Sequence, residues 1–162
     1  MKWRSAFLRQ ARSDNAARQH FARVGVEQCH QLHYLQMATE KLAKGMRAND
    51  VNRDPPEFTH AAFVNGLRAI RRLPHMWRRL GFKDDAHFAA FINSLLPLAG
   101  RVERLAPAFA GKRNPNAEYP WAPASGQHAI APADFTFPEF DPRNPQVAKL
   151  LWLVDNLVNF LI

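Results

Sequence analysis

Residues 29–48 read CHQLHYLQMATEKLAKGMRA, and this stretch decides the fold class. Leu32, Leu35, Ala38, Leu42 and Met46 recur at the spacing that lines one face of a helix. Ala38 and Ala43 are small enough for a second helix to approach closely along that face. A helix with a single apolar stripe has to bury it against other elements, so the pattern predicts an all-α fold.

Working outward, the same period describes five helical segments and no strand. Residues 3–24 carry Trp3, Phe7, Leu8, Ala11, Phe21 and Val24, and Gly25 offers a stop. Residues 26–47 form the second segment. Thr59 can cap a third, whose Phe63, Leu67 and Ile70 point inward until Pro74 ends or kinks it. A fourth runs from Asp84 or Asp85 to Ala106 with a bend at Pro97, and a fifth spans 145–162 with Val147, Leu150, Leu151, Val154, Leu157, Val158 and Leu161 on a broad stripe. The prediction is an up-and-down bundle of these helices in a single domain, residues 1–162. Between Pro107 and Pro145 there is no helical period and a proline every few residues. A segment that long needs an anchor or a function, and Tyr119, Trp121, Phe135, Phe137 and Phe140 are the candidate anchors.

Composition bounds the partners. The net charge is +8, from 22 Lys and Arg against 14 Asp and Glu, and the excess is concentrated. Arg68, Arg71, Arg72, Arg78, Arg79 and Lys83 follow one another with no acidic residue between Arg68 and Lys83. Such a cluster attracts phosphates or an acidic protein surface, or else serves only as a solvated face. Trp77 within it reads as core, between Leu73 and Leu80. Cys29 is the only cysteine, so no internal disulfide can form, and a buried thiol in a reducing cytosol is expected. MKWRSAFLRQ has no continuous apolar core of a secretory signal, and Asp155, Asn156 and Asn159 interrupt the final apolar run. A cytoplasmic protein without membrane contact is the expectation.

Gln36, Ala38, Glu40, Lys41 and Lys44 stand in the order QxAxEKxxK. That order resembles the second helix of HEPN domains, small all-helical proteins of prokaryotes and a few large eukaryotic chaperones. Thr59 and His60 are similar to the pair that opens the family's short third helix. Tyr119 and Pro120, within AEYPW, are similar to its loop before the last helix. The 107–145 segment is longer than in minimal members. The resemblance implies a homodimer paired through its helices. It also implies two kinds of role, a non-catalytic module that binds a nucleotide, RNA or partner protein, and a metal-independent ribonuclease toxin neutralised by a small nucleotidyltransferase.

Ribonucleases of this family use an Arg-x(4–6)-His motif, usually across a homodimer. Histidine moves a proton from the ribose hydroxyl, and arginine holds the phosphate. Arg23 with His30, Arg53 with His60, and Arg68 with His75 fit that spacing. Arg53 and His60 are the best catalytic candidates, because RDPPEFTH leads into a helix start that favours a phosphate. For the binding reading the candidates are Gln36, Glu40 and Lys44 in a groove between the first two helices, with Arg68, Arg71, Arg72, Arg78 and Arg79. His30, His33 and Cys29 lack zinc spacing, and no phosphate loop, HExxH or nucleophile elbow occurs, so no metal or cofactor is expected. A helical assembly subunit, whose charge serves only solubility, is the third reading.

Overall fold

The computed structural model describes residues 2–48, 62–109, 115–122 and 128–161, and among them it is an all-helical bundle. Its helices are α1 (Trp3–Val24), α2 (Gln28–Arg47), α3 (Phe63–Arg71), the single turn α4 (Met76–Arg79), α5 (Asp85–Arg104) and α6 (Pro145–Phe160). The one strand-like contact among the described residues is an isolated antiparallel bridge between Trp121 and Ile130.

α1 stops where Gly25 takes φ +74, the left-handed conformation that glycine adopts without a Cβ penalty. The chain then reverses and α2 runs back along α1. Phe21 stacks edge-on against Tyr34 at 5.3 Å, Asp14 reaches Lys41, and Gly45 passes under Leu8. A Cβ on Gly45 would lie 2.7 Å from Leu8 Cδ2, so the absent side chain sets how closely the two helices approach.

α2 is the central element, touching α1, α3, α5 and α6. Leu35 and Leu42 from α2, Phe63, Leu67 and Ile70 from α3, Phe88, Ile92 and Leu95 from α5, and Leu150, Leu153 and Leu157 from α6 share one core. Pro74 ends α3 as expected, and the chain restarts as α4 through His75, a non-glycine residue at φ 61. Side chains accept N–H groups in the first turns of α3, α5 and α6. Glu103 Oε1 accepts the Val64 N–H at 2.8 Å, Asp84 accepts the His87 N–H, and Asn144 accepts the Gln146 N–H. Asn144 is followed by Pro145, the residue type suited to a first helical turn. Pro97 lies inside α5 on an exposed position, and the helix continues through it.

The irregular segment is anchored by its aromatics, with one correction. Trp121, Phe137 and Phe140 are buried and Phe135 is half-buried, but Tyr119 is 54% exposed and anchors nothing. The second anchor is polar. Gln28 accepts the Phe137 N–H at 2.9 Å and donates to the carbonyls of Phe137 and Phe140.

Candidate functional site

Three places gather chemistry-bearing side chains. The first is a set of charged groups along α1 and α2. Gln36, Glu40 and Lys44 repeat every fourth residue, so they stack on one face of α2. Gln36 donates to Glu40 Oε2 at 2.9 Å and Lys44 Nζ meets Glu40 Oε1 at 2.5 Å. All three are buried, at 3%, 9% and 6% exposure, rather than spread on an open groove. Beside them Lys41 Nζ lies 2.9 Å from Asp14 Oδ2, an ion pair without the geometry of a good hydrogen bond. Farther along α1, buried Arg18 meets Asp155 of α6 at 2.6 Å, and Asn15 binds the same oxygen. These pairs link α1 to α2 and α1 to α6. The polar half of the α1 inner face, Asp14, Asn15 and Arg18, went unread in the sequence. Its spacing from Leu8 and Ala11 was the available signal.

The second place is the stretch from α3 to the start of α5. Arg68, Arg71, Arg72, Arg78, Arg79 and Lys83 are all exposed. Leu67 and Ile70 alternate with them and carry the burial, which turns the arginines of α3 outward. Among the described residues none of the six forms an ion pair with a carboxylate. Arg68 and Arg71 reach the side-chain oxygens of Asn65 and Asn93, and the Arg78 guanidinium sits 4.8 Å above the Trp77 ring. Trp77 is half-buried against the core, as its neighbours predicted. His75 is exposed at the pivot between the two helices, and its carbonyl accepts the N–H groups of Arg78 and Arg79.

The third is a cleft of about 440 Å³ between the α1–α2 turn and the irregular segment. Phe21, Cys29, His30, His33, Tyr34 and Glu118 are among its lining residues. His33 Nδ1 and Glu118 Oε2 stand 3.6 Å apart. Burial pushes the Cys29 thiol above its ordinary range, and a hydrogen bond from Tyr119 to Glu118 does the same for the phenol. A thiol held protonated is a poor nucleophile. Among the described residues no group of three or more His, Cys, Asp or Glu side chains is placed to hold a metal ion.

Arg53 and His60 lie outside the described residues, as does Thr59. Arg23 and His30 are both exposed near the α1–α2 turn, and Arg68 and His75 are exposed on α3 and at the start of α4. No helix among the described residues is long and apolar enough to cross a membrane. In comparisons with known proteins the chain matches no family model, no curated protein and no solved structure.

Proposed function

We propose that this protein is a non-catalytic helical binding module of the HEPN type, acting in the cytosol as a homodimer, and that its ligand is RNA held by its phosphates. The observation that supports this reading most is the run of six exposed cations between Arg68 and Lys83, none of which is paired with a carboxylate among the described residues. An exposed cluster of cations attracts an external anion by Coulomb forces. The ion pairs of α1 and α2 serve the module by linking α1 to α2 and α1 to α6. On this account Gln36, Glu40 and Lys44 act as internal supports, and contact with the ligand falls to Arg68, Arg71, Arg72, Arg78 and Arg79.

Fluorescence anisotropy with a labelled single-stranded RNA tests the reading. Reversing the charge of Arg71, Arg72, Arg78 and Arg79 together is expected to abolish binding while the far-ultraviolet circular dichroism stays helical. Unchanged affinity would contradict it. The ribonuclease alternative is decided in the same samples. On the binding reading the RNA stays intact without added metal, and Arg53→Ala and His60→Ala change nothing. On the nuclease reading the parent protein cleaves and both variants stop it, and a nucleotidyltransferase partner then becomes the expectation. Light scattering checks the dimer, with a mass of twice 18.5 kDa expected and a constant 18.5 kDa at all concentrations ruling it out.

A further inference from the structure

An aromatic cleft beside the arginines extends this reading, and the inference rests on it. Leu80, Gly81, Phe82, Phe91, Lys149 and Trp152 line a cleft of about 460 Å³ between the α4–α5 turn and α6. That volume falls in the range of small-ligand sites, about 300–1,000 Å³. Three rings meet in it. Phe82 and Phe91 lie 4.9 Å apart, and Trp152 stands at 72° to the first and 89° to the second.

Trp152 and Phe160 are the large hydrophobic residues that α6 leaves exposed. Leu150, Leu153 and Val154 around it are buried, yet the indole is 41% exposed. On the outer face Lys149 and Asn156 lie one turn to either side of it, and Ala148 also lines the cleft. Gly81, at φ +76, turns the chain so that Phe82 folds onto the rings, and a Cβ built there would meet nothing within 4 Å.

Among the described residues the one charged side chain lining the cleft is a cation. Lys149 lines it, Arg78 and Arg79 directly precede the lining residue Leu80, and Lys83 directly follows Phe82. The next carboxylate in the chain, Asp84, is engaged at the start of α5 by the N–H and ring of His87. Rings for stacking beside cations for the backbone are what an unpaired strand requires. A base inside a duplex has both faces covered by its neighbours, and cannot enter.

We infer that this cleft takes an unpaired base of single-stranded RNA, stacked on Trp152, while Arg78, Arg79, Lys83 and Lys149 hold the adjoining phosphates. The test compares three labelled probes of equal length, an oligouridylate, an abasic ribose-phosphate oligomer and a blunt RNA duplex. The oligouridylate is expected to bind about 10-fold more tightly than the abasic oligomer. Trp152→Ala should lower the oligouridylate to the abasic level and leave the abasic affinity unchanged, while Trp152→Phe keeps most of the preference. In the unmutated protein, 2-aminopurine within the oligouridylate should lose fluorescence on binding, a readout that does not depend on how the variants fold. Equal affinity for the oligouridylate and abasic probes, or unquenched 2-aminopurine, overturns the inference and leaves phosphate binding standing. Absence of binding to every probe overturns both. If Trp152→Ala halves the mass in light scattering and leaves the preference for bases intact, the cleft is a contact between copies and the inference fails.

Discussion

At the scale of single residues, the interior of this bundle depends on charges that meet their partners and on a glycine that has no side chain. Arg18 is the clearest case. Its guanidinium is buried, with Asp155 at 2.6 Å and Asn15 at 2.9 Å as partners. Asp155→Ala leaves that cation with the neutral amide alone, and the loss expected is about 1.5–3 kcal/mol, the range for a hydrogen bond to a charged group. A change within about 0.5 kcal/mol in urea unfolding, the scatter of ordinary surface substitutions, would show that the pair contributes little. Gly45→Ala works by volume. The added methyl would stand 2.8 Å from Leu8 Cγ and 3.3 Å from the Leu8 backbone nitrogen. Leu8 is itself buried, so the helices must part. Overpacking costs about 1–3 kcal/mol, against about 0.5–1 kcal/mol gained from alanine's better helix propensity. The midpoint of unfolding should therefore fall, and a rise would mean that α1 shifts freely.

At the scale of elements, most of the helices were legible because their apolar positions recur with one period. α1 matched its expected bounds, and α2, α5 and α6 fell within about two residues of theirs, the ordinary uncertainty of a helix end. What escaped was placed by contacts distant in sequence. The stripe read on α1 included Trp3 and Val24, which are 40% and 59% exposed, and omitted Asp14, Asn15 and Arg18, because hydropathy cannot register a buried ion pair whose partner is on another helix. Gln28 clamping Phe137 and Phe140 is of the same kind. The aromatic cleft was also unread, since Phe82, Phe91 and Trp152 come from three separate stretches. The arginine run was fully legible, because charge density needs no fold to be counted.

The α5 cap carries a pH prediction. The His87 backbone N–H, and after it the His87 ring, hold the Asp84 carboxyl below its ordinary range. A carboxylate with a depressed folded pKa stabilises above its unfolded value, about 3.9, and that contribution is lost as pH falls through the folded value. Asp141, held at about 2 by Arg143, loses its contribution in the same direction and farther into acid. The unfolding temperature should therefore drop on acidification below about pH 4. Asp84→Asn, a neutral residue that still caps, should show a smaller acid-induced drop, and Asp84→Ala should also be less stable at neutral pH. An identical drop in Asp84→Asn and the parent protein would remove Asp84 from the account.

At the scale of the whole molecule, the bundle separates two uses of charge. Arg18, Glu40, Lys41 and Lys44 lie in partnered positions along the inner helices, while Arg68, Arg71, Arg72, Arg78 and Arg79 are exposed together on the α3–α4 surface. Only the second kind responds strongly to salt, because exposed charges are screened and counterions are released when phosphates replace them. The direct test is the slope of log affinity against log salt for a single-stranded RNA. With about five phosphates neutralised, the slope expected for a single strand is about −3.5, so affinity should fall about 100-fold between about 50 and 200 mM monovalent salt. Charge reversal at Arg71, Arg72, Arg78 and Arg79 should flatten that slope toward zero. RNA binding that is indifferent to salt and to the reversal, or no RNA binding at low salt, would contradict the account.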